Sequence, residues 1–376
     1  MVLLVSLLAA FALFAAFFAT VWLLRRFEVA RPLGALASAA AGGLAWYIAV
    51  KIGQSTGAVT TDEATFHHLY VLAVVGLPLV GAVLLVQGFR RPAIEGASPW
   101  FVRGIAIAFI VPAFIGIWAT HIEPTRLRLD EQTIEVGAAP DGAPIRVGVI
   151  ADIQTDVFTD YEDRVVDRML ELEPDLILVA GDYTQLEWEG YLRIKEDLVD
   201  LLSRLDAPHG VYVILGNTDP GPLELQDVVS RSGHVSLIDE TTEVEVRGQR
   251  IRIGGLAWPN NNTPGSRAFV SEFAESGSSD VVDILLAHSP DSILNVGDGS
   301  GVDLMVSGHT HGGQISIPFL GPLWNVTELP GAVAGGGVHD VRGATTYVST
   351  GVGVQRGESP KVRFLVRPSI GLLTLD

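Results

Sequence analysis

Beyond residue 144 of this 376-residue chain, five short apolar runs each break off at an Asp, Asn or His. Residues 145–151 lead to Asp152-Ile153-Gln154, 176–180 to Gly181-Asp182-Tyr183, and 211–215 to Gly216-Asn217-Thr218-Asp219. Residues 283–287 stop at His288, and 303–307 at Gly308-His309-Thr310-His311-Gly312-Gly313-Gln314. Runs of this kind read as strands buried on both faces. A fold that puts a polar side chain just past five such strands is constrained to gather those strand ends at one place.

The intervening segments set the architecture. Near 162–173, Val165, Val166, Met169 and Leu170 recur at helical spacing, and further helices are expected at 189–205 and 223–230. The pattern then turns strand-like at 234–238, 242–246 and 251–258, with Arg247-Gly248-Gln249 as a hairpin turn. A helix is expected at 266–275, strands at 345–350 and 362–366 close the second sheet, and the Gly-rich stretch 331–337 reads as a mobile surface loop near the site mouth. Two such halves predict an α/β fold with a two-layered β-sandwich flanked by helices, rather than an open doubly wound sheet.

The first third differs in character. Four apolar stretches, at 2–24, 33–50, 69–86 and 104–120, reach the roughly 17–25 residues a membrane-crossing helix needs. Gly76, Pro78 and Pro112 within them are tolerated in membrane helices. Arg25, Arg26 and Arg31 follow the first stretch, and Arg90, Arg91 and Arg103 lie between the third and fourth. By the positive-inside rule these loops are cytoplasmic, so the expectation is a multi-pass membrane protein whose larger part is extracytoplasmic. The expected organisation is a four-span domain at 1–120, a tether at 121–144 with short exposed strands at 126–130 and 133–136, and a globular domain at 145–376. The spans carry no intramembrane charges, which argues against transport as the main task.

Charge narrows the partners. All but four of the 43 acidic residues lie beyond Thr120, against 18 of the 25 basic ones. So acidic a surface disfavours nucleic acid as a partner. With no cysteine in the chain, disulfides and thiolate ligands are excluded, and any metal must be held by carboxylate, imidazole, amide or water.

An Asp at one strand end is usually a turn former. Asp152 and Asp182 at successive strand ends, with Asn217 at the third, form a set of oxygen donors for a divalent ion, and a carboxylate such as Asp182 can bridge two ions about 3.5–4 Å apart. His309 and His311 would point oppositely in an extended segment, so a glycine-flanked bend must turn both toward a shared centre. His121, His209, His234 and His339 lack a comparable setting and read as structural or surface residues.

In this order the motifs resemble the calcineurin-like metallophosphoesterase family, whose pattern is Asp-x-His, Gly-Asp, Gly-Asn-His-Asp/Glu, a lone His and Gly-His-x-His. The likeness covers residues 145–366, and the membrane-anchored arrangement is similar to an extracytoplasmic branch of the family and, less closely, to the lipid A precursor pyrophosphohydrolases. It implies a four-layer α-β-β-α sandwich, here preceded by four transmembrane helices. It further implies two divalent ions (Mn²⁺, Fe²⁺ or Zn²⁺, with Mn²⁺ favoured). Asp152, Gln154, Asp182 and His311 would hold the first, and Asp182, Asn217, His288 and His309 the second, with Asp182, Asn217 and His309 doing the catalytic work. The implied activity is hydrolysis of a phosphoester or pyrophosphate, lipid-linked or from the cell envelope, by metal-activated hydroxide, with membrane lipid as a partner. Two departures stand out. Gln154 replaces a metal-binding His with a weaker neutral donor, for which Asp156 could compensate, and Thr218 replaces a His that helps the leaving group depart. They leave open a decayed member with a ligand-binding or scaffolding role.

Overall fold

The computed structural model describes residues 70–90, 99–136, 143–258, 263–297, 301–355 and 361–376. The chain divides into two units, one ending at Thr120 and the other comprising His121–Arg356 and Lys361–Asp376.

In the first unit, helix α1 (Leu77–Arg90) follows a π-helical turn at Leu72–Gly76 and packs on α2 (Pro99–Ile117). Gly81 lets the backbones approach closely, because a Cβ there would stand 2.6 Å from the Ala106 carbonyl and 2.9 Å from Ile110. The expected four spans require correction. Among the described residues one helix, the 23-residue Arg103–Thr125, whose most apolar 18-residue window has a mean hydropathy of 2.1, is long and apolar enough to cross a membrane. The stretch at 69–86 yields only the shorter apolar helix Leu72–Ala82, and those at 2–24 and 33–50 lie outside the described residues. Apolar length summed along a sequence does not show that one long apolar helix carries it, and among the described residues only 103–125 passes that test. The multi-pass assignment falls with the spans, and so does the extracytoplasmic placement, which depended on an even number of crossings.

The second unit is built on two six-stranded sheets. The first contains β1 (Arg128–Ile134), β2 (Ile145–Ile150), β3 (Leu176–Val179), β4 (Val211–Val213) and β5 (Val235–Ser236). The second contains β6 (Glu240–Val246), β7 (Gln249–Leu256), β8 (Val281–Ala287) and β9 (Leu304–Ser307). After a small hairpin, β10 (Ser316–Ile317) with β11 (Gly321–Pro322), come β12 (Gly337–Val341) and β13 (Ala344–Val348), which join the second sheet. The last strand, β14 (Ser369–Leu375), returns to the first, so the orders are β1-β14-β2-β3-β4-β5 and β12-β13-β9-β8-β7-β6.

Side-chain alternation explains the continuous apolar runs. Val147, Val149, Leu176, Leu178 and Ile214 point into a core shared with Ile251, Ile253, Ile284, Leu286 and Val306 of the facing sheet. Their neighbours Ile150, Ile177, Val179 and Val213 point the other way, into a core covered by α3 (Asp160–Leu170), α4 (Trp188–Ser203) and α5 (Pro222–Ser232). On the opposite side α6 (Pro264–Glu275) packs Val270 and Phe273 over Leu285 and Met305. Strands buried on both faces have no polar face, and the expected sandwich flanked by helices is what they form. Thr159 and Glu162 close a capping box at the start of α3.

Three local expectations differ from the structure. Residues 126–130 and 133–136 supply one strand, β1, paired in parallel with β14, rather than two short exposed ones. Residues 362–366 make only a single bridge, Ile315 to Phe364, and do not close the second sheet. Gly331–Ala334 is a short helix, α7, that leads into β12 rather than a loop. The turn at Arg247-Gly248 forms as expected, with both residues at positive φ (52° and 80°), the geometry that matches the twist of a two-residue hairpin.

Candidate metal centre

The chain turns sharply as it leaves β2, β3 and β9. Asp152, Gln154, Asp182, His309 and His311 all have left-handed backbones, with φ of 51°, 37°, 58°, 72° and 49°. Each such residue costs roughly 1–2 kcal/mol, and a cluster of five marks a place where the fold holds a geometry against local preference. Backbone bonds fix the loops to one another: Asp152 N–H donates to the Gly181 carbonyl (3.0 Å), and Gln154 N–H to that of Asp182 (2.9 Å). Gly308 permits the closest approach, since a Cβ there would lie 2.6 Å from the Asp152 carboxylate.

All seven residues singled out from the sequence meet at this end of the sandwich. One oxygen each of Asp152 and Asp182 and one ring nitrogen of His288 lie within 4.8 Å of one another. Asp182 Oδ2 accepts from the Gln154 amide at 2.7 Å and lies 3.3 Å from His288 Nε2, while Oδ1 accepts from Thr218 N–H at 2.8 Å. Asn217 Oδ1 faces both His288 Nε2 (2.9 Å) and His309 Nδ1 (2.7 Å). Asp152 accepts from the His309 N–H at 2.9 and 3.1 Å, with His311 Nε2 at 3.8 Å. The Trp258 ring lies against His309, centroids 5.5 Å apart.

Electrostatics are dominated by burial. Burial pushes the Asp152 carboxyl up, His288 opposing it and the like charge of Asp182 adding to it. Burial acts on Asp182 in the same sense but is outweighed by the charge and hydrogen bond of His288, the Thr218 N–H and His311, so this carboxyl stays below the usual range. His288 is pushed up to about 9: burial alone would lower it, and Asp182 and Asp152 more than reverse that. Its geometry agrees, because Nδ1 faces the Ala180 carbonyl at 2.7 Å while Nε2 faces two further oxygens. His309 drops to about 4 through burial and the neighbouring His288. His311 is lowered by burial and Arg363.

The donor set suits divalent cations. It is rich in oxygen and imidazole, it concentrates negative charge in a buried place, and it leaves two buried lone-pair atoms, Gln154 Oε1 and His311 Nε2, without a protein partner.

Two supporting residues have no role in the sequence reading, although Asp219 closes the Gly216-Asn217-Thr218-Asp219 motif. Asp219 accepts N–H bonds from Asp182 (2.9 Å), Tyr183 (2.7 Å) and Gly216 (2.8 Å), tying the second and third loops together. Arg363, fully buried, donates to the carbonyls of Thr350 (2.8 Å) and Gly351 (3.2 Å) and lies 3.3 Å from His311 Nδ1. Asp156 does not turn to Gln154; it pairs with Lys361 at 3.1 Å on the surface. Thr218 donates its hydroxyl to the Thr184 carbonyl at 2.6 Å. His234 and His339 bond to the carbonyls of Leu202 (2.7 Å) and Gly336 (3.1 Å).

A two-sheet sandwich with Asp, Asn and His side chains converging beyond its strand ends defines a metal-dependent phosphoesterase. The model of the calcineurin-like phosphoesterases matches residues 145–313, and the chain belongs to that family. Among its relatives is the metallophosphoesterase YkuE of Bacillus subtilis, 30% identical over 69% of this chain and 88% of the relative. The phosphodiesterase YaeI of Escherichia coli is 26% identical over 62% and 83%. The UDP-2,3-diacylglucosamine pyrophosphatase LpxG of Chlamydia muridarum is 24% identical over 55% and 76%.

Proposed function

We propose that the domain spanning residues 145–376 hydrolyses phosphodiesters or pyrophosphates with two divalent cations, of which Mn²⁺ suits the oxygen-rich set best. Asp152, Gln154, Asp182 and His311 hold one, Asp182, Asn217, His288 and His309 the other. The observation that carries this reading is Asp182, whose two carboxylate oxygens face the Gln154–His288 side and the Thr218 loop respectively. When bound, such cations make hydroxide available from water near neutral pH and neutralise phosphoryl oxygens. The residues do the rest. Asn217 aligns the two imidazoles through its single carbonyl oxygen, and the Trp258 ring restricts His309. Thr218 spends its hydroxyl on a backbone carbonyl, so position 218 offers no proton to a leaving oxygen. Substrates with good leaving groups, a phosphate or an aryl oxygen, therefore fit best, in keeping with a diesterase and a pyrophosphatase among the relatives.

The test is metal analysis of protein purified without chelator, together with assays on aryl phosphodiesters and nucleotide-sugar pyrophosphates. Turnover that needs added divalent metal and falls steeply as the leaving group becomes more basic is expected. Metal-independent turnover, or none on any of these substrates, defeats the proposal. The control His121→Ala is expected to retain activity.

Two further outcomes follow from the site. Protons on His288, raised to about 9, and on Asp152, also raised, must leave before a cation binds. Metal affinity is thus expected to rise with pH, most steeply between about 7 and 9, with roughly one to two protons released per chain. Calorimetry in two buffers of different ionisation enthalpy measures this, and pH-independent affinity contradicts it. Gln154→His, which restores a stronger donor, is expected to tighten metal binding about tenfold, read by competition with a chelating dye. Unchanged or weaker binding would show that the amide is no ligand.

A further inference from the structure

We propose that the rim of the metal centre seats on a lipid bilayer, with the β10–β11 hairpin entering the interface, so that the site takes phosphoesters carried in that surface. This rests on the phosphoesterase reading above and names where its substrate lies.

The loops that carry the candidate ligands also carry several of the exposed apolar side chains. Val157 follows the Asp152 loop, Leu223 follows the Asn217 loop, and the hairpin begins five residues past His311 at Ser316. On that hairpin Phe319 is fully exposed and Leu320 is 80% exposed, with Leu323 and Trp324 more than half exposed. Single exposed apolar residues need no explanation, but this grouping does. No charged residue occurs from Gln314 to Thr327, in a unit whose acidic residues outnumber its basic ones about two to one. The hairpin is not a loose tail. Ser316 pairs with Pro322 and Ile317 with Gly321, Ser316 N–H donates to the Phe364 carbonyl (3.0 Å), and Leu323 N–H to that of Ile315 (2.7 Å). An uncharged, firmly held tip bearing Phe, Leu and Trp suits the headgroup–acyl boundary, where aromatic residues concentrate.

The chain itself argues for the occupant. The apolar helix Arg103–Thr125 ends just before β1 begins at Arg128, so a bilayer that receives the helix lies within a few residues of this domain. The acidic remainder of the surface is repelled by anionic headgroups, which leaves the uncharged rim as the approach.

The absence of cysteine allows a clean test on the full chain. Phe319→Cys, labelled with an environment-sensitive fluorophore and reconstituted in phosphatidylcholine vesicles, is expected to show blue-shifted emission that lipid-borne spin labels quench at least twofold. Ser230→Cys, at the exposed end of α5, is expected to show neither. An unshifted probe overturns the proposal. So does a blue shift without quenching, which would mean that a second copy or the chain's own residues 1–69 cover the hairpin. In a second arm, Phe319→Ser with Leu320→Ser is expected to lower the ratio of turnover on a vesicle-borne phosphodiester to that on a soluble one at least tenfold; an unchanged ratio overturns it. Quenching is read without turnover, so failure of the phosphoesterase reading and failure of the docking are told apart.

Discussion

Asp182→Asn is expected to lower phosphoesterase turnover roughly a thousandfold while leaving the protein folded. The expected size rests on the proposed two-cation centre, in which Asp182 would supply negative charge to both cations, whose stabilisation of the transition state would amount to several kcal/mol, about tenfold for each 1.4 kcal/mol. The fold should tolerate the change. Asparagine keeps one carbonyl oxygen where Asp182 Oδ1 accepts the Thr218 N–H at 2.8 Å, and nearly the same volume in a buried place. His288 loses its strongest anionic partner, so its imidazole loses its proton at lower pH than in the parent. Steady-state kinetics with metal analysis of the same sample decides the matter. A variant that keeps both cations and turns over within tenfold of the parent would remove Asp182 from the centre of the account.

The second large effect is on stability. Asp219→Ala is expected to cost about 3–6 kcal/mol, because it strips three buried backbone N–H groups, of Asp182, Tyr183 and Gly216, of their acceptor at about 1–3 kcal/mol each. That is a large share of a typical net stability of about 5–15 kcal/mol. Burial and the adjacent Asp182 push the Asp219 carboxyl up, with the Gly216 and Tyr183 N–H groups opposing, so part of its own burial cost is recovered on removal. Asp219→Asn keeps the shape but sets an amide N–H₂ against one of the donors, and should fall between. Urea unfolding measures both, and a loss below about 1 kcal/mol for the alanine variant would show that the loops hold without it.

What the sequence made legible follows from burial. β2, β3 and β4 lie between two cores, so each appears as an unbroken apolar run, and the polar residue after each run marks where the chain leaves the sheet. The residues that meet in the candidate centre stood out in the sequence for that reason. Asp219 was visible as the last residue of the third motif but its role was not, because that role lies in backbone N–H groups up to 37 residues away, and a side chain bonding to main chain leaves no pattern of its own. Arg363 likewise acts on the carbonyls of Thr350 and Gly351, at a distance no local spacing encodes. β14 escaped because its place between β1 and β2 is a pairing of the chain's last strand with strands more than 200 residues earlier. The membrane expectation failed differently. Apolar length was present, but among the described residues only the helix Arg103–Thr125 is long and apolar enough to cross a membrane.

The most direct test of the account is anomalous diffraction from crystals of the protein loaded with Mn²⁺. Two peaks about 3.5–4 Å apart are predicted, both within coordination distance of Asp182, one beside Asp152 and His311 and the other beside His288 and His309. A loaded crystal with no peak in this cluster, or with a single ion that Asp182 does not touch, would contradict it.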